Sequence, residues 1–298
     1  MSIPKFTLKT SNTSSSNFIA ILDCLNPIAD ISSPRRNYED LQIKLIGKDK
    51  PEKIEQNLQL ITCKNKKEFF NYFEKLTQRF NTPGFKPLIL IHAHGNKENG
   101  LQLPDNSFVE WPNLIKLFGE LTEKCGGDLT IIAGFCHSYE LIEYIPIDKR
   151  LPFAFYYGYA NTIPAGIVED EMNIIYQSFI NDGGKTLFPL LSKLHIKSFG
   201  EFDFIMQFLA PALAMAADPE ELSRLVPIFS QGEIKKAVRN QFNGPQRGID
   251  KLIKSIVRND ILAVDLIKKH MHDTERKTYT LKAVDDYFSL IRTNRSQV

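Results

Sequence analysis

Residues 87–95 read PLILIHAHG, and residues 128–138 read DLTIIAGFCHS. Each is a short apolar run that ends on polar, chemically active residues. Continuous rather than alternating apolar runs suit strands buried on both faces, as in parallel sheets. Between them, residues 101–111 read as a small hairpin around Pro104-Asp105-Asn106. Pro112 then suits the first turn of a helix over 113–124, which Gly126-Gly127 ends.

The pattern continues outward. Residues 18–25 (FIAILDCL) and 153–159 (FAFYYGY) read as buried strands, and 42–47 and 57–63 as further strands, with a loop over 32–40. Phe69, Phe70, Phe73, Leu76 and Phe80 recur at helical spacing, predicting a helix over 67–80 that Pro83 and Gly84 break. A helix is expected over 166–181. Strands alternating with helices predict an α/β fold with a mainly parallel sheet sandwiched by helices. Beyond Gly184 the strand signals fade. Residues 187–195, 202–217, 219–229, 233–242, 249–258, 261–270 and 283–291 read as helices. The expected organisation is a leader over 1–17, an α/β domain over 18–184 and an α-helical region over 185–298.

The 298 residues carry a formal net charge of +2, too small to make nucleic acid or an anionic membrane the main partner. No apolar run reaches the roughly 18 residues that span a bilayer. The start, MSIPKFTLKTSNTSSSN, lacks the regions of a signal peptide. Four cysteines form no CxxC pair and no zinc-like spacing with histidine, so neither a metal nor another cofactor is expected. A reduced, cytoplasmic protein is the simplest reading. The GKT at 184–186 lacks the glycine spacing of a phosphate loop. The basic residues between Lys235 and Lys269 read as a solvated helical face balanced by nearby acids, with an anion site as the alternative.

In open parallel sheets, functional groups collect beyond the carboxyl ends of the strands. Two such ends carry His94 and Cys136, 42 positions apart in the chain. A thiolate is the nucleophile that acyl transfer needs, and a nearby imidazole can take its proton and later protonate the leaving amine. The developing oxyanion needs donors, for which the backbone N–H groups of Gly95 and Cys136 are candidates. Gly95 has no Cβ, so its backbone can approach a scissile carbonyl closely. His92 points to the same strand face as His94 and reads as a core or supporting histidine, with a smaller claim to be the base. His137 reads as pocket lining or exposed. Cys24, Cys63 and Cys125 read as buried structural residues.

Strand-His94-Gly95, a helix, then strand-Cys136-x-Ser138 resembles the caspase-like peptidases of clan CD, and most of all the bacterial CHAT proteases. The resemblance runs over residues 18–184. It implies a cysteine endopeptidase acting on protein or peptide substrates through a Cys136–His94 dyad. It also implies a gated effector of a bacterial defence or cell-death pathway, switched on by a partner or nucleotide messenger. Some relatives with basic specificity place an acidic residue at the end of the first strand, in the S1 pocket. The matching residue here is Asp23, which would imply cleavage after Arg or Lys. The other reading of Asp23 is a strand-end carboxylate bonded to a neighbouring loop. Glu169 and Asp170 are alternatives for the pocket, or a solvated helix start. One departure is Gly134-Phe135, where many relatives have an acidic or small residue before the Cys. The competing function is a catalytically silent adaptor on the same fold.

Overall fold

A computed structural model of the chain describes residues 16–30, 33–46, 51–79, 85–146, 149–182, 187–205, 260–271 and 273–295. The chain divides into two compact units, one of them Ser11–Gly200. Its strands are β1 (Phe18–Asp23), β2 (Leu58–Thr62), β3 (Pro87–His92), β4 (His94–Asn96), β5 (Gly100–Gln102), β6 (Phe108–Val109), β7 (Thr130–Gly134), β8 (Phe155–Tyr159) and β9 (Ile196–Gly200). Its helices are α1 (Ser33–Ile46), α2 (Pro51–Asn57), α3 (Lys66–Arg79), α4 (Trp111–Lys124), α5 (Ala165–Asp182) and α6 (Leu187–Leu191), with a 3₁₀ helix at Ser138–Tyr144.

Six strands form one sheet in the order β2-β1-β3-β7-β8-β9, and β4-β5-β6 form a small second sheet. The first five strands of the large sheet are mutually parallel; β9 runs antiparallel to β8. This is the α/β architecture with a mostly parallel sheet that the apolar runs predicted. Every residue of β3, β7 and β8 is buried, as strands covered on both faces must be. On one face Ile21, Leu90, Ile132 and Tyr157 pack with Leu41 of α1 and with Val168, Met172 and Ile175 of α5. Strand alternation sends Ile89, Ile91 and Ile131 to the other face. The aromatic residues of α3 and α4 include Phe73 and Phe118, whose ring centres are 5.7 Å apart.

Three expectations are corrected. From Ser33 to Ile46, the predicted loop (32–40) and strand (42–47) give way to one helix, α1. Its sequence holds few apolar residues, and Ile43 and Ile46 are exposed, so no helical stripe shows. Helix α2 has no counterpart in the apolar pattern. The predicted helix over 187–195 ends at Leu191, and β9 follows, a strand inside the stretch read as wholly helical. Both α6 and β9 therefore fall within the sheet-bearing unit, beyond the expected division at residue 184.

The second unit comprises Met1–Thr10 and Glu201–Val298. Its described parts are a helical stretch over 201–205, α7 (Asp260–His270) and α8 (Thr274–Arg295). Arg276 closes on the buried Glu201 carboxylate at 3.2 Å, and Phe204 packs on the His270 ring at 4.8 Å. The helices expected over 219–229, 233–242 and 249–258, most of that over 202–217 and most of the leader lie outside the described residues.

Candidate active site

The β3–β7 pairing joins Leu88 with Thr130 and continues rung by rung to His92 with Gly134. Two residues beyond this last rung stand His94, the first residue of β4, and Cys136, just past the end of β7. The two motifs therefore follow the carboxyl ends of neighbouring central strands. The chain segments also touch. A Cβ placed on Gly95 would lie 1.8 Å from the Cys136 carbonyl oxygen and 2.8 Å from the Phe135 ring. Gly95 is needed because its backbone lies directly on the backbone of Cys136, a reason distinct from the substrate approach expected of it. Phe135 is itself fixed by stacking on Trp111, with ring centres 6.3 Å apart.

The turn after Cys136 is tightly held. His137 takes a left-handed conformation, φ 58°, which reverses the chain from β7 into the 3₁₀ helix. Such φ values cost a non-glycine residue energy and persist only when neighbours enforce them. Here the His137 N–H donates to the Asn161 carbonyl at 3.3 Å, and its ring meets the Thr162 hydroxyl at 3.1 Å. Ser138, fully buried, donates to the Ala133 carbonyl at 2.9 Å and accepts from the Tyr159 N–H at 2.8 Å. Its own carbonyl accepts from the Tyr156 hydroxyl at 2.7 Å. These bonds tie the end of β7 to the end of β8, with Cys136 between them.

The Cys136 thiol is half-buried. It donates to the Ile163 carbonyl at 3.7 Å and accepts from the Ile163 N–H at 3.4 Å. The His94 ring is largely exposed, and its Nε2 lies 3.0 Å from Asp30 Oδ1. Thus imidazole and thiol are each held by a partner of their own. Asp30 belongs to the loop after β1. It is fixed by the Asn26 N–H on its second carboxylate oxygen at 2.8 Å and by its own N–H on the Asn26 carbonyl at 2.9 Å. A carboxylate on Nε2 selects the tautomer with hydrogen there and leaves Nδ1 with the lone pair. Sequence reasoning missed Asp30 and Ile163. Nothing local marks a single loop Asp, and Ile163 acts through its backbone.

His92 is buried and its Nε2 accepts from the Asn37 amide at 3.2 Å. Burial lowers its pKa to about 4, so it stays neutral inside the sheet, as a core histidine does. Asp23 pairs with His92 in the sheet, so both side chains leave the same face. Its carboxylate accepts from the Leu25 N–H at 3.2 Å. Burial pushes the Asp23 carboxyl above its usual range; the Leu25 bond opposes this, and the Asp30 charge adds to it. Glu169 is bound by Arg36 at 2.8 Å and by the Ser33 hydroxyl, whereas Asp170 is exposed. Among the described residues no group of three acidic, His or Cys side chains could hold a metal ion, and no helix is long and apolar enough to cross a membrane.

No protein-family model matches this chain, and no curated protein does. Among solved structures, it is similar to a secreted C11 cysteine protease from Bacteroides thetaiotaomicron, crystallised with an irreversible peptide inhibitor. The TM-score is 0.41 and the identity 10%, over 68% of this chain and 71% of that one. Raptor from Chaetomium thermophilum matches with a TM-score of 0.32 and 11% identity, over 98% of this chain and 30% of that one. Likenesses at this level assign no residue role and no activity.

Proposed function

We propose that this chain is a cysteine peptidase with Cys136 as nucleophile and His94 as general base and acid. The observation that carries the reading is the seating of Gly95 on the Cys136 carbonyl, just beyond the last β3–β7 rung, His92 with Gly134. The substrate is a peptide. Nδ1 of His94 takes the thiol proton as sulfur attacks the scissile carbonyl carbon. The backbone N–H groups of Gly95 and Cys136 receive the oxyanion. Collapse of the intermediate breaks the C–N bond, and His94 returns the proton to the leaving amine. Water, deprotonated by His94, then hydrolyses the thioester. Asp30 holds the imidazole in its working tautomer.

Asp23 is the pocket acid in this reading, and cleavage follows Arg or Lys. Its half-buried carboxylate accepts the Leu25 N–H, and its ionised form is disfavoured by burial and by Asp30. An incoming cation offsets both effects. The resting thiol bonds to Ile163 rather than to His94, which supports a gated enzyme that a partner or nucleotide messenger switches on. The same contact also favours the second reading, a silent caspase-fold adaptor.

The test is labelling by a peptide electrophile with Lys at P1, read by intact mass, with and without candidate activators. Adduct on Cys136 that is lost in Cys136→Ala and strongly slowed in His94→Ala supports the peptidase. No adduct under any condition, in a folded chain, favours the adaptor.

A further inference from the structure

We propose that Cys24 and Cys63 form a reversible disulfide site at the edge-strand side of the sheet. The β1–β2 pairing joins Ile19 with Leu58 and runs in register to Asp23 with Thr62. The next residues on each strand are Cys24 and Cys63. The ladder continues through them, because the Cys63 N–H donates to the Asp23 carbonyl at 2.8 Å. Neighbouring strands lie about 4.8 Å apart, and residues level with one another send their side chains to the same face. That spacing falls inside the Cα window of about 4.4–6.8 Å that a disulfide spans, toward its short end, where a bridge is readily reduced. Both thiols are buried, and the Cys24 pKa is raised by burial and then by the adjacent Cys63 thiol.

Access comes from the position of the pair. β2 is the last strand on its side of the sheet, and Cys63 stands between exposed Thr62 and exposed Lys64. Local opening of a strand end exposes such a residue without global unfolding. Burial, together with the Cys63 thiol, holds Cys24 protonated, so the reaction follows the pace of opening rather than that of a surface thiol. The oxidant is a low-molecular-weight disulfide. One cysteine thiolate attacks it, forms a mixed disulfide and expels one small thiolate. The second cysteine thiolate attacks the protein sulfur of that mixed disulfide and expels the other. Two electrons pass to the small disulfide, which leaves as two thiols carrying the two protons. Cys125 is the internal control, being buried and bonded to the Thr122 carbonyl at 3.6 Å in another part of the fold. The bridge would fix the start of the loop that carries Asp30.

The experiment incubates the full chain with oxidised glutathione, blocks free thiols and maps peptides without reduction. The expected result is a Cys24–Cys63 linked pair that dithiothreitol reverses, that Cys63→Ser lacks, and that raises Tm in the wild type alone. Cys63→Ala serves if the serine variant does not fold. Two free thiols after a day, separate glutathione adducts on each, or links to Cys125 or Cys136 would overturn the proposal. Cys136 chemistry is not needed for any of these readouts, so the peptidase reading stands or fails separately.

Discussion

Gly95 lies so close to Cys136 that a β-carbon on residue 95 would stand 1.8 Å from the Cys136 carbonyl oxygen. No rotamer relieves that clash, because the obstructing atom is backbone. Gly95→Ala must therefore push β4 away from the end of β7 or distort Cys136. Overpacking of this kind costs roughly 1–3 kcal/mol. Urea unfolding should show that loss, and labelling of Cys136 should fall well beyond what the remaining folded fraction explains. Unchanged labelling and unchanged stability would mean that the two motifs are not seated on one another.

Asp30 is the second test. It is 64 positions from His94 in the chain yet contacts its Nε2 at 3.0 Å. Asp30→Asn keeps the shape and can keep the Asn26 contacts, but it removes the charge that favours hydrogen on Nε2. A positioned base contributes about 10²–10⁴-fold. The expected outcome is a fall of one to two orders of magnitude in the rate of Cys136 labelling, with little change in Tm. An equal rate in wild type and variant would make the pair a surface contact without consequence.

The sequence reading of the fold succeeded where burial dictates composition. The strand starting at Phe18, and β3, β7 and β8, are apolar runs because both their faces are covered. It failed at α1, whose fourteen residues bury only Ser33, Pro34, Asn37 and Leu41. The usable signal there was Ser33-Pro34, a helix start, rather than any apolar stripe. β9 was lost because a five-residue edge strand with an exposed Lys197 resembles a helix end. In the proposed site, His94 and Cys136 are marked in the sequence by strand ends and a glycine. Asp30 is not marked, since its contact with His94 arises from a loop folding onto another strand's terminus. The Ile163 contact is carried by backbone atoms, which no side-chain pattern encodes.

His92 yields a pH prediction. Its pKa is lowered from 6.5 to about 4 by burial. A depressed folded value means that the neutral form is favoured in the fold. The corresponding stability is present above about pH 6.5 and is lost as pH falls toward 4. A tenfold change in proton affinity corresponds to about 1.4 kcal/mol, so the full effect is at most roughly 3.5 kcal/mol. Carboxylates titrate in the same range, so the readout is a difference. Unfolding free energies of wild type and His92→Gln, measured from pH 7.5 to 4, should converge as pH falls. Parallel curves would show that His92 takes up its proton without disturbing the core.

Asp23 allows stability and the proposed specificity to be tested in one variant. Its carboxyl is raised by burial and by the Asp30 charge, so the fold favours the protonated form. Stability from this group is full below the unfolded carboxylate pKa and is lost as pH rises through the higher folded value. At neutral pH the ionised side chain is therefore a burden. Asp23→Asn keeps an oxygen for the Leu25 N–H, found at 3.2 Å, and removes the charge. The variant should be more stable than wild type at pH 7, and the gain should vanish as pH falls into the carboxylate range. If Asp23 receives a basic P1 residue, the same variant should label slowly with a Lys electrophile and normally with a norleucine electrophile of equal length. A gain in stability with no change in that ratio would assign Asp23 to the loop alone and leave the pocket acid to be sought elsewhere.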